Sequence, residues 1–427
     1  MKLGKQLFNI ITILLFSFFP ISFILGNPLI NLNIVLIDIL FLYNCYKFNS
    51  WEWLKDRFFR LLLIFYFYII INSIIFHYLT DYSNYAGLLR SFSFIKFIFL
   101  AYSFRQLAES KKILDKIIKN WLVIISIIIL DVLFEKIFGN NILGNISSDA
   151  TRIVSFFDDE LVVGGLILCF GFLIATHFLN KNLEFKSKIF FNVFLFFVPF
   201  SVFITGEKSN FIKSFIIFTI IIILIDKTKL IINKKIFLIL LISALFTSIF
   251  FSENIRVKQT ETFKRIFKIN KNDDDYVIEK NFIDKFQNIK YFSHYDVGLK
   301  IFKDFPISGV SSKNFRHKCH DEKYFDKNIK FSNSRCSTHP HQVHFELLSE
   351  HGLIGYLFLF YLFFVFFKRN LIEAKSSNNI FQYTSIIYLI VFFTPLLPGG
   401  AMFSTFNGAL FWIVFSVANL NFNKKLY

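Results

Sequence analysis

The chain has 427 residues, of which 55% are hydrophobic and only 18% charged, below the roughly 25% charge of an ordinary water-soluble domain. Its mean hydropathy is +0.53, and most of its apolar residues lie in long runs, which excludes a soluble enzyme. A net charge of +17 would suit a nucleic-acid partner, but the Lys and Arg fall mainly in short loops between those runs, which argues against one.

An apolar run of about 20 residues is what a helix needs to cross a hydrocarbon core about 30 Å thick. Taken in chain order, such runs predict twelve membrane helices: 7–26, 29–46, 58–79, 88–104, 120–138, 160–179, 189–204, 211–226, 236–252, 351–367, 380–397 and 405–420. The first is too long, and too soon followed by the second, to be a simple cleaved leader. The expected fold is an all-α polytopic membrane protein in four blocks. Residues 1–150 hold the first five spans, 151–252 the next four with short turns, 253–350 one large polar loop, and 351–427 the last three spans.

Basic residues of short loops collect on the cytoplasmic side of a membrane. With the N-terminus inside, alternate loops hold Lys47, Lys55, Arg57, Arg60, Arg105, Lys111, Lys112, Lys116, Lys119, Lys181, Lys186 and Lys188. They continue with Lys227, Lys229, Lys234, Lys235, Lys368, Arg369, Lys375, Lys424 and Lys425, whereas the short loops of the other side hold only Arg152 and Lys208. Both termini are therefore expected in the cytoplasm and the 253–350 loop outside it. Cations beside the bilayer on the outer face suit an anionic lipid head group.

The large loop opens with a charged stretch, Glu253 to Lys290, that includes Asp273-Asp274-Asp275. Val297–Phe305 reads as a short amphipathic helix stopped by Pro306 and Gly309. His341–Glu350 reads as the helical lead-in to the next span. Cys45 and Cys169 lie in apolar runs, while Cys319 and Cys336 share the loop, a placement that suggests a disulfide if the loop faces an oxidising compartment. His317, Cys319, His320, His339 and His344 could be assembled into a zinc site, but they lack a clean paired-ligand spacing. No metal and no cofactor is expected.

Four segments together resemble the O-antigen ligase and polymerase family of bacterial membrane glycosyltransferases. They are STHPHQVHFELLSEHGLIGYL (Ser337 to Leu357), GLKIFKDFPISGVSSKNFRHKC (Gly298 to Cys319), TGEKSN (Thr205 to Asn210) and TRIVSFFDDELVVGGL (Thr151 to Leu166). The first is similar to a signature that runs from a His through Asn, Ser or Gln to a Gly-rich span start, so His341, Gln342 and Gly352 carry it. The third has Lys208 where the family usually has Arg, which keeps the charge and loses the bidentate fork onto phosphate.

The resemblance implies a GT-C-like membrane architecture in a bacterial inner membrane, with the large loop in the periplasm. It implies transfer of a glycan from undecaprenyl diphosphate to an acceptor sugar hydroxyl. The acceptor would be lipid A-core for a ligase and a lipid-linked repeat unit for a polymerase. His341 is then the candidate base, against the plainer reading of a polar residue at a helix start. Lys208 and Arg152 are candidate diphosphate cations, against snorkelling and an ordinary surface Arg. Arg90 and Lys96 fall within the fourth span, where a charge is costly unless it faces a cavity. They would line the lipid-phosphate path or pair inside the bundle. Lys213, one turn into its span, goes with Lys208, while Arg316 and Arg335 have two readings, contact with sugars or phosphate and, ahead of it, a solvated loop face. The alternative function is a multi-span transporter or flippase of lipid-linked oligosaccharides, a class whose sites usually lie near the bilayer midplane.

Overall fold

The computed structural model describes residues 2–79, 85–108, 110–149, 151–158, 160, 162–251, 253, 256–257, 289–329 and 331–420. The acidic run Asp273-Asp274-Asp275, Lys424 and Lys425 lie outside them. Among the described residues there are helices and no strand. In order they are α1 (Lys2–Ile24), α2 (Asn27–Phe48), α3 (Arg57–Leu79), α4 (Tyr85–Ser93), α5 (Ile95–Leu107), α6 (Lys111–Phe138), α7 (Val163–Leu179) and α8 (Phe185–Ile204). They continue with α9 (Lys208–Leu224), α10 (Lys234–Phe251), α11 (Lys290–Asp304), α12 (Phe315–Lys318), α13 (Val343–Ser377), α14 (Ile380–Phe392) and α15 (Thr405–Ala418).

Seven helical stretches among the described residues are long and apolar enough to cross a membrane, and α7, α14 and α15 are shorter apolar helices. The expected fourth span is two helices, α4 and α5, joined at Phe94. The expected span 380–397 stops at Phe392, because Pro395 and Pro398 lack an amide hydrogen and disfavour helix at the residue before them. The expected lead-in and span at 341–367 form one element, α13, merged across a kink at Gly352.

The outer surface of the bundle is apolar: Leu14, Ile64, Phe67, Val123 and Leu130 are each more than half exposed. Inside, large rings fill the space between helices, with Trp121 and Trp412 fully buried. Lipid is as apolar as Leu, so association here rests on close packing and interhelical hydrogen bonds, such as Trp121 Nε1 donating to the Phe16 carbonyl at 2.7 Å. One end of the bundle is tied by Arg369–Asp56 at 2.9 Å and by His177 and Lys181 on Asp115 at 2.9 and 2.5 Å.

At the other end lie the irregular segments. The amphipathic helix predicted at Val297–Phe305 is longer, spanning α11. Its Val297 and Ile301 pack with Val310, Phe315, Tyr324 and Phe76 of α3 as a small second core. The turn after α11 is inserted into the kink of α13. Gly352 has φ 63 and ψ −169, so the amides of Leu353 and Ile354 turn away from their helical acceptors. They donate instead to the Pro306 and Ile307 carbonyls at 2.8 and 3.2 Å, while the Val310 amide donates to Ser349 at 2.8 Å. From α3, Asn72 Nδ2 donates to the Ser308 carbonyl at 2.8 Å and Tyr68 Oη to the His351 carbonyl at 2.6 Å. The Pro-x-x-Gly turn and the Gly-rich span start are thus two halves of one joint.

Candidate active site

The site is built on the first turns of α13. Gln342 is the N-cap residue: its Oε1 accepts from the amides of His344 and Phe345 at 2.7 and 3.2 Å, two of the donors a helix start leaves unpaired. His341 stands outside the helix, at φ 58, and so projects away from the α13 axis. Its Nε2 is 2.8 Å from Ser337 Oγ, and its ring lies 4.3 Å from that of His339, 5.1 Å from that of His294 and 5.3 Å from that of Tyr291. His339 is consumed by structure, with Nε2 3.1 Å from the Gly399 carbonyl and Nδ1 3.0 Å from Thr338 Oγ1.

Burial disfavours the charged form of these imidazoles. It takes His341 down to about 3, helped by repulsion from the charged forms of His339 and His294 and from Lys290, and His339 down to about 4. His294 is lowered by burial too, against the hydrogen bond to the Arg335 carbonyl. All three rings are neutral at neutral pH, so each keeps a lone pair.

Beside the histidines opens a cleft of about 150 Å³ lined by Arg90, Ser312, Lys313, Arg316, Thr338, His339, Glu346, Glu350, Ala401, Phe403, Ser404 and Asn407. His339 borders it directly; His341 does not line it, its ring lying 4.3 Å from that of His339. The three cations come from α4 and from the loop around α12. Arg90 donates to the Phe403 carbonyl, and Arg316 Nη2 to Thr338 at 3.2 Å. Arg90 thus faces a cavity, one of its two expected settings. Arg316, expected on a solvated loop face, is a cleft residue instead, because the loop folds back over the start of α13.

Glu346 and Glu350 were not legible as site residues. They are 2% and 4% exposed, one helical turn apart, on the face of α13 that meets the cleft. Glu346 accepts from the Met402 amide at 2.9 Å and Glu350 from the Phe315 amide at 3.4 Å. Their spacing, two acids four residues apart before a Gly-rich span, was the available signal.

The segment between α14 and α15 ties these parts together. The Gly399 amide donates to the His341 carbonyl at 2.7 Å, Ser209 donates to the Pro398 carbonyl, and the buried Lys213 ammonium lies 5.5 Å from the Phe392 ring centroid. Irregular backbone at this depth is tolerated where it lines a cavity or is buried in protein.

Arg152 and Lys208 sit elsewhere on the same end of the bundle, and neither lines the cleft. The Ile153 amide donates to Thr205 at 3.2 Å, and Thr151 and Arg152 press on Gly206, where a Cβ would meet the Thr151 carbonyl at 2.8 Å. This seats Arg152 near Glu207, a buried acid raised above its usual range by desolvation and held by Gly164 and Asn210. Lys96 donates to Asn31 of α2, a partner within the bundle. Cys319 and Cys336 form a disulfide with Cα atoms 5.4 Å apart, and Arg335 donates to the Cys319 and His320 carbonyls at 3.0 and 3.2 Å. Ligand atoms of Cys319, His320 and Cys336 lie within 4.8 Å of one another, but sulfurs bonded to each other offer no thiolate to a metal.

Helices of this length and surface, with irregular segments and a charged cleft gathered at one end, define a multi-pass membrane protein. Residues 192–360 match the family model described as O-antigen ligase, so this part of the chain is similar to that family. The match spans α8 to the first half of α13 and includes Lys208, Arg316 and His341, whereas Arg90 and the 398–403 segment lie outside it. No curated protein matches the chain.

Proposed function

We propose that the protein transfers a glycan from undecaprenyl diphosphate to an acceptor sugar hydroxyl at the outer face of the bacterial inner membrane, as an O-antigen ligase or polymerase. The observation that carries this reading is the convergence of Arg90, Lys313 and Arg316 on one cleft beside His339 and His341. Departure of a diphosphate develops negative charge, and fixed cations in a partly buried cleft stabilise it without reorganising. The acceptor oxygen must shed its proton as it attacks the anomeric carbon, while the carbon–phosphate oxygen bond breaks and the diphosphate leaves with the electron pair. Neutral His341 supplies a lone pair for that proton, oriented by Ser337. An anionic donor beside it raises its basicity by favouring the charged form.

In this reading the diphosphate cations are Arg90, Lys313 and Arg316, and Lys208 and Arg152 act at the approach to the cleft from the bilayer. The basic bias of the short loops supports the outer-face orientation. The test is His341→Ala and Arg316→Ala in a strain lacking the native gene, read by electrophoresis of its lipopolysaccharide. Transfer falls by at least tenfold in both. Wild-type ladders from either variant would overturn that residue's role, and from both, the reading itself. Long glycan retained on the lipid carrier marks a ligase; single repeat units on the core mark a polymerase.

A further inference from the structure

The cleft contains, besides its cations, the carboxyl groups of Glu346 and Glu350. Glu346 and Glu350 are both buried, and any negative charge on them repels a diphosphate through a medium that screens poorly. Each is fixed in place by backbone amides of a different wall, Glu346 by Met402 and Phe403 and Glu350 by Lys313 and Phe315. A carboxylate has acceptor sites on two oxygens, so these anchors leave lone pairs over. The rest of the lining is mixed: the hydroxyls of Ser312, Thr338 and Ser404 and the amide of Asn407 stand among the charges. Hydroxyls, an amide, acids and guanidinium groups are what binds a polyol, whose hydroxyls donate to carboxylates in charge-assisted bonds and accept from Arg.

We propose that Glu346 and Glu350 form the acceptor subsite of the cleft, receiving hydroxyls of the acceptor sugar and turning its attacking oxygen toward the donor. This rests on the glycan-transfer reading. The donor's diphosphate is then held by Arg90, Lys313 and Arg316 of the same cleft.

The test compares full-length protein, purified in detergent, with Glu346→Gln and Glu350→Gln. Two readouts are taken: binding of undecaprenyl diphosphate as the probe, and the polysaccharide ladder in cells. Both variants are expected to lose transfer by at least tenfold while holding undecaprenyl diphosphate as tightly as the parent, or more tightly because a repelling charge is gone. Normal ladders in both variants overturn the inference. So does loss of probe binding together with transfer, the mark of acids that serve only to hold the arginines. Where a Gln variant does not fold, Glu346→Asp and Glu350→Asp decide. They keep the charge but draw it back from the hydroxyls, so transfer is lost if the acids bind sugar and kept if they only balance charge. Failure of the parent itself to bind the probe strikes at the glycan-transfer reading and is distinguishable from all of these.

Discussion

Gly352 lies so close to Ile307 that a Cβ added to it would stand 2.3 Å from the Ile307 carbonyl oxygen. Two sequence motifs more than forty positions apart meet at that contact, and the donors and acceptors of the α13 kink depend on it. Its backbone, at φ 63 and ψ −169, is in a region open essentially to glycine, where other residues bear about 1–3 kcal/mol of strain. Gly352→Ala adds a steric clash to that strain. The expected outcome is a fall in thermal stability and loss of transfer, measured by unfolding of the detergent-solubilised protein and by the polysaccharide ladder. Gly355→Ala is the useful contrast. Its added Cβ meets the His351 side chain at 2.6 Å without a left-handed backbone, so the milder effect is expected there.

The disulfide closes the loop that carries the histidine support. Cys319 and Cys336 are 17 residues apart, and a crosslink of that span contributes about 3 kcal/mol, chiefly by restricting the unfolded chain. Ser337, next to Cys336, holds His341, and the Arg335 carbonyl holds His294. Cys319→Ser with Cys336→Ser is therefore expected to lower the unfolding temperature and to reduce transfer only in part. A double variant as stable as the parent would show that hydrogen bonds alone hold the loop.

Acid is expected to loosen the histidine cluster. His341 and His339 are held near 3 and 4, below the ordinary histidine value of 6.5. Between those values and 6.5 the unfolded chain binds more protons than the folded one, so folded stability falls as pH drops through that window. At pH 7 and above the groups are neutral in both states and add no such dependence. Unfolding temperatures at pH 7 and pH 5 measure the effect, and His339→Asn should flatten it. An unchanged slope in that variant would exclude His339 from the transition.

How much of this was legible follows from where the information lies. Apolar runs gave the helical membrane class, because a bilayer demands length and hydropathy from each span separately. They did not give breaks such as Phe94 or the end of α14 at Phe392, where proline and local packing decide. The motifs around His341, Gln342 and Gly352 fall at the start and kink of α13, since a cap and a glycine joint are local features. Arg316 was read as solvated, and Glu346 and Glu350 were passed over, because their burial is created by segments distant in sequence. Arg152 and Lys208 stood out through charge placement, which reports the side of a membrane but not which cavity a side chain lines.

The cleft walls come from Arg90, from residues 312–316, from 338–350 and from 401–407. Nothing short of nearly the whole chain supplies them all. During synthesis, every helix but the last emerges before Phe403 and Asn407 have been placed, and until then Arg90 has no carbonyl to hold and Glu346 no amide. A nascent chain therefore has membrane helices well before it has this pocket.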